Sequence, residues 1–183
     1  VGISVKQVLG ANESEVINEC LVLKEEHYSS GAFQKRKDFK SVIALKLRQV
    51  APSMFYGSEH LKTVIMPEVV GLMQSQDYGA FAYTNVQNCI FPQLVRISTH
   101  AFSNCQIKEL NSESFPVLES IGYSGFSYCS IISINLPNLV EIDARGFYQC
   151  QIQKLSSDSF PVLQSIGEKV FLSVHSPMQI SQV

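Results

Sequence analysis

Residues 105–122 read CQIKELNSESFPVLESIG, and residues 150–167 read CQIQKLSSDSFPVLQSIG. The two stretches agree at 13 of 18 positions, at an offset of 45. Two smaller units fill that offset. Pro92, Pro116, Pro137 and Pro161 recur at intervals of 24, 21 and 24, and Ile97, Ile121, Ile142 and Ile166 keep the same step. The phenylalanine column runs furthest: Phe33, Phe55, Phe81, Phe102, Phe126, Phe147 and Phe171 stand 21 to 26 residues apart. A unit this short cannot bury its own apolar side chains, so each must lean on the next.

The unit reads P-x-L-x-x-I-x-x-x-[AG]-F-x-x-C-x-I-x-x-[LI]. Its last part, as in Ile131-Ile132-Ser133-Ile134-Asn135-Leu136, reads as a short strand, with Ile134 and Leu136 on one inward face. Proline cannot donate to a ladder and marks the strand's exit. The small residue before each Phe lets the chain turn closely while the ring fills the interior. Alternation of the step arises after the strand, where Asn111–Phe115 carries three residues that Leu136-Pro137 lacks. The expected fold is a solenoid: a β-rich coil of about seven turns with a curved parallel sheet. Residues 1–16 read as an N-terminal cap or flank, 17–174 as the coil and 175–183 as a C-terminal end or cap. An irregular insertion of about four residues falls near 68–80.

With 183 residues, 45% hydrophobic and 16% charged, the chain should fold around a real core. A net charge of -2 gives no electrostatic case for nucleic acid, and no apolar run is long enough to span a bilayer. The five cysteines, Cys20, Cys89, Cys105, Cys129 and Cys150, form no CxxC pair, so neither zinc nor another cofactor is expected. Parallel side chains in a ladder rarely meet disulfide geometry, so the last three read as buried free thiols. His27, His60, His100 and His175 fall at separate turns, and no nucleophile, metalloprotease or phosphate-loop motif occurs; the chain does not read as an enzyme. Lys24-Glu25-Glu26 and Lys35-Arg36-Lys37 read as solvated corners, and Asn12-Glu13-Ser14 is a short glycosylation sequon.

Ile97-x-x-x-Ala101-Phe102-x-x-Cys105 and Ile142-x-x-x-Gly146-Phe147-x-x-Cys150 resemble the BspA-like (Treponema pallidum-type) leucine-rich repeats, over about residues 17–172. The resemblance implies the leucine-rich-repeat solenoid fold, a right-handed coil with a curved sheet. Because many members of that family are secreted or surface proteins and some are adhesins, it also implies a cell-surface or secreted adhesin as one reading. An intracellular scaffold in a larger assembly is the other, and unbridged cysteines would suit its reducing compartment.

Aligning the strands by the repeat places two columns on the outward, concave face. One is polar: Glu19, Ser41, Thr63, Asn88, Glu109, Ser133 and Lys154. The other begins with four aliphatics, Leu21, Ile43, Ile65 and Ile90, before Asn111, Asn135 and Ser156. Lys40, Lys62 and Lys108 border the same face. Exposed together, the aliphatics would form a patch of the kind that binds a protein partner. Alternatively, the N-terminal segment or the 68–80 insertion folds over them, or a one-residue slip turns them inward.

Overall fold

The computed structural model describes residues 3–11, 13–74 and 78–173. Expectations for Asn12, His175 and the 175–183 end, and part of that for the 68–80 insertion, lie outside the described residues.

Most turns of the coil contribute two short strands and a tight corner. The first strands are β2 (Cys20–Leu23), β3 (Ser41–Ala44), β5 (Thr63–Ile65), β7 (Asn88–Ile90), β9 (Glu109–Leu110) and β11 (Ser133–Ile134). The second strands are β4 (Gln49–Val50), β6 (Gly71–Leu72), β8 (Arg96–Ile97), β10 (Ser120–Ile121), β12 (Glu141–Ile142) and β13 (Ser165–Ile166). Strands of successive turns pair in parallel, with Val42 beside Val64 beside Cys89 in one row and Ile97 beside Ile121 beside Ile142 beside Ile166 in the other. The extra length of the irregular step falls after β6: nine residues separate Leu72 from Phe81, against five from Val50 to Phe55.

The core is a pile of phenylalanine rings. Phe55, Phe81, Phe102, Phe126 and Phe147 are wholly buried. Successive rings from Phe33 to Phe171 stack at 5.6, 5.2, 4.9, 5.3, 5.8 and 5.7 Å, with planes 5° to 17° apart. Phe39, Phe91 and Phe115 meet this pile edge-on from the strand side. Both geometries suit the ring quadrupole and add to the area each ring buries.

The corners around most of the Phe residues follow one backbone rule, with Phe81 keeping only its second member, Tyr83. The residues two before and two after the Phe adopt the left-handed conformation: His100 and Asn104 around Phe102, Ser124 and Tyr128 around Phe126, Arg145 and Gln149 around Phe147. Around Phe33 and Phe55 glycine takes one of the two places, Gly31 and Gly57. Gly146, immediately before Phe147, is small for a different reason: a Cβ there would lie 2.5 Å from Cγ2 of Ile142.

Three residues after the Phe, the column 58, 84, 105, 129, 150 reads Ser, Thr, Cys, Cys, Cys. Ser58 Oγ donates to the carbonyl of Phe33 one turn back at 2.7 Å. The thiols of Cys105, Cys129 and Cys150 donate likewise to Phe81, Phe102 and Phe126 at 3.2, 3.0 and 3.1 Å. Thr84 donates to Phe81 at 2.8 Å. These three cysteines are therefore free, buried donors that tie turn to turn. Burial pushes the Cys150 thiol up to about 12 and raises Cys129 in the same direction, so both stay protonated donors at neutral pH.

At the N-terminal end, β1 (Glu15–Ile17) folds back antiparallel on β2 through a two-residue turn, Asn18 and Glu19, both left-handed. Before it, α1 (Val5–Gly10) starts from a capping box: the Ser4 hydroxyl accepts from the Gln7 amide, and the Gln7 side chain accepts from the Ser4 amide. Its one buried residue, Val8, packs on Cys20, Val22 and Ile43.

Candidate functional site: an open sheet face with a broken ladder

The hairpin shifts the first strand by one residue against the expected alignment. Cys20, not Glu19, pairs with Ser41, and Val22, not Leu21, pairs with Ile43. Leu21 is thus a correction: it sits beside Val42, belongs to the phenylalanine core and is only 2% exposed. Asn18 and Glu19 are consumed by the turn, so the first interval is 21 residues (20 to 41), where a uniform 22 would have placed Glu19 in the column. The outward aliphatic column is therefore Val22, Ile43, Ile65 and Ile90.

Only part of that column is open. Val22 and Ile43 lie under α1, with Ile3, Ala11 and Ile17 alongside, and Ile65 is half-buried at the edge of the same cluster. Ile90 is 44% exposed. Thr63 is half-buried beside it, and Asn88 is exposed. Among the lysines, Lys40 is drawn to Glu19 at 2.8 Å, which offsets its charge. Lys62 and Lys108 are exposed and make no ion pair among the described residues. The helix thus divides the nine expected positions into a closed set at the N-terminal end and an open one around Ile90.

The open set surrounds a fault in the sheet. Elsewhere the residue opening a first strand donates its amide to the preceding turn: Thr63 to Lys40, Asn88 to Lys62, Ser133 to Lys108 and Lys154 to Ile132. Among the described residues the corresponding bond, from Glu109 to Gln87, is not formed, and β7 and β9 belong to separate sheets. Three extra residues follow the break. Asn111 Oδ1 accepts from the Glu113 and Ser114 amides at 3.1 Å, closing an Asx turn, and the chain rejoins its neighbour only at Ser114, whose carbonyl accepts from Phe91. A hollow of about 470 Å³ opens there, lined by Asn88, Ile90, Lys108, Glu109, Asn111 and Glu113 among others. A smaller one, about 320 Å³, accompanies the second long unit beside Ser156 and Asp158.

The chemistry of the larger hollow is mixed. It offers an apolar side chain, an unpaired ammonium, carboxylates and free main-chain groups in one place. Gln87, Glu113 and Ser114 were not foreseen as part of it. The three-residue difference was visible in the sequence, but the ladder break beside it was not. His60 bonds the Lys37 carbonyl at a distant corner, and His100 lies on another side of the coil against Tyr123. No group of three or more His, Cys, Asp or Glu able to hold a metal occurs among the described residues. No helix among the described residues is long and apolar enough to cross a membrane.

No curated protein and no solved structure matches the chain significantly. The family model for the BspA type leucine rich repeat region matches in six copies, over residues 26–118 and 95–181. Those spans cover the stacked phenylalanines, the second strands and the cysteine column described above, so the chain belongs to the BspA-type leucine-rich-repeat family.

Proposed function

We propose that this chain, a repeat module of the protein-interaction kind, takes its partner on the open sheet face around the β7–β9 break. The observation that carries the reading is the unmade Glu109–Gln87 bond beside an Ile90 that is 44% exposed. Main-chain groups left unpaired at a sheet margin are a template for an extended segment of another chain, and a neighbouring apolar side chain supplies the anchor. Thr63 and Asn88 provide polar rim contacts, and Lys62 and Lys108 favour a partner segment with acidic residues. The partner role expected of Leu21, Ile43 and Lys40 passes to this set, since those residues are buried or paired.

The family resemblance supports a surface-displayed or secreted adhesin working by recognition and not by catalysis. The intracellular scaffold rested on unbridged cysteines. The inter-turn hydrogen bonds of Cys105, Cys129 and Cys150 give those three thiols a role in any compartment, which weakens that argument.

The test is affinity capture and photo-crosslinking from a probe at position 90, comparing the native chain with Ile90→Asp and Lys108→Glu. Both variants should keep native circular dichroism, and partner capture should fall by about tenfold or more in Ile90→Asp. Extracellular or surface partners lost in the variants support the adhesin. Undiminished capture by a folded Ile90→Asp would move the interface elsewhere.

A further inference from the structure

A second concave site lies on the side of the coil formed by the corners around the Phe residues. Successive corners bring Tyr83, Tyr123, Tyr128 and Tyr148 around a cleft of about 240 Å³, together with His100 and Arg145. Tyr83 and Tyr128 are 51% and 54% exposed. The Arg145 guanidinium stacks over Tyr123 and Tyr148 at 5.9 and 5.5 Å, and its Nη1 donates to the Tyr123 hydroxyl at 3.0 Å. Tyr128 meets Tyr148 edge-on at 5.5 Å, and His100 meets Tyr123 edge-on at 5.4 Å. Among the described residues no Asp or Glu lines the cleft, and Arg145 makes no ion pair. Arg145 is thus a cation fixed in orientation by two rings, with most of its N–H donors unspent.

We propose that this cleft binds an acidic saccharide, a sugar ring carrying a carboxylate. A pyranose presents C–H-rich faces, which pack on exposed tyrosine rings, and a rim of hydroxyls. The free hydroxyls of Tyr83 and Tyr128 and the Asn104 carboxamide, which makes no hydrogen bond among the described residues, answer that rim. The carboxylate pairs with the unneutralised guanidinium, the geometry arginine is built for. At about 240 Å³ the cleft falls below the roughly 300–1,000 Å³ of drug-sized ligand sites and suits a ring or two.

A peptide strand is disfavoured because the backbone here is already committed. The amides of His100, Asn104, Ser124 and Tyr128 all donate to carbonyls of the next turn, so no main-chain edge is left to pair with. The cleft's floor is equally occupied, since the Ser103 and Ser127 hydroxyls bond each other and the Ser124 carbonyl.

The experiment titrates the whole chain by calorimetry and saturation-transfer NMR with 3′-sialyllactose and tetragalacturonate, using lactose as the neutral control. At least one acidic probe should bind about tenfold or more tightly than lactose. Arg145→Gln should erase that preference, and Tyr128→Ala should weaken the acidic probe about two- to tenfold, both with unchanged circular dichroism. Ile90→Asp should leave sugar binding intact, which separates this site from the sheet face. Failure of both acidic probes at millimolar concentration overturns the proposal. So does binding that survives Arg145→Gln and Tyr128→Ala, or a protein partner that needs these two residues while no sugar binds.

Discussion

Cys129 allows the bond between adjacent turns to be weighed. Its buried thiol donates to the Phe102 carbonyl at 3.0 Å, and that carbonyl makes no other hydrogen bond among the described residues. Replacement by serine keeps a donor, as Ser58 shows one column member can. Replacement by alanine or valine removes the donor and leaves a buried carbonyl orphaned, at about 1–3 kcal/mol. Serine forfeits only the easier burial of sulfur over hydroxyl, about 1 kcal/mol when the hydroxyl remains bonded. Donation therefore predicts Cys129→Ser above both Cys129→Ala and Cys129→Val. A thiol acting merely as a small hydrophobe predicts the reverse, with valine first and serine last. Urea unfolding followed by far-UV circular dichroism reads the order. With a slope of about 2 kcal/mol/M, a loss of 2 kcal/mol moves the midpoint by about 1 M. Alanine guards against a steric artefact in valine, since it cannot clash. If Cys129→Ala and Cys129→Val both match or exceed Cys129→Ser, the donor argument is wrong for the whole column.

Alkaline stability should report the same thiols. Cys150 is raised from 9.0 to about 12, so between these values the unfolded chain releases its proton first and the folded chain holds more; stability is complete below pH 9 and declines as pH rises toward 12. Comparing urea midpoints from pH 8 to 11, Cys150→Ser should show a shallower decline than the native chain, and parallel curves would contradict this. The cap is testable separately: Val8→Asp should detach α1 from Cys20, Val22 and Ile43 at a cost of about 2 kcal/mol. Proteolysis near the N-terminus and increased binding of a hydrophobic dye should reveal it, whereas an unchanged dye signal would mean the helix does not cover the patch.

The stacked parts of the molecule were legible because stacking repeats a letter. Phe102, Ile121 and Cys129 each recur at the coil's own step, and each is buried as expected. The ends and faults were less legible because they happen once. The strand at Cys20 is offset by a turn at Asn18 and Glu19 that has no counterpart in later units, and a one-residue offset exchanges inside for outside. The helix over Val22 and Ile43 leaves a faint trace, since only Val8 of its six residues is buried. Covering by the N-terminal segment was one of the open alternatives, and the structure selects it for that end of the column while leaving Ile90 uncovered. The tyrosine cleft shows no period at all. Its rings come from different places within the corner, Tyr123 three before a Phe, Tyr148 one after, and Tyr83 and Tyr128 two after; only the fold brings them to one spot.

The left-handed corners separate what the coil demands from what its surface can say. Among the described residues, ten other than glycine hold these places: Lys35, Ser53, Tyr83, His100, Asn104, Ser124, Tyr128, Arg145, Gln149 and Lys169. They span acid-free, basic, aromatic and amide side chains, yet none is Val, Ile or Thr, the types such a backbone tolerates least. The conformational penalty is set by the corner and is similar for every unbranched side chain. Each corner can therefore exchange one residue for another at little change in stability, while the rings beneath keep their stack. A lineage of such coils could diversify what it recognises, corner by corner, without reopening the question of how it folds.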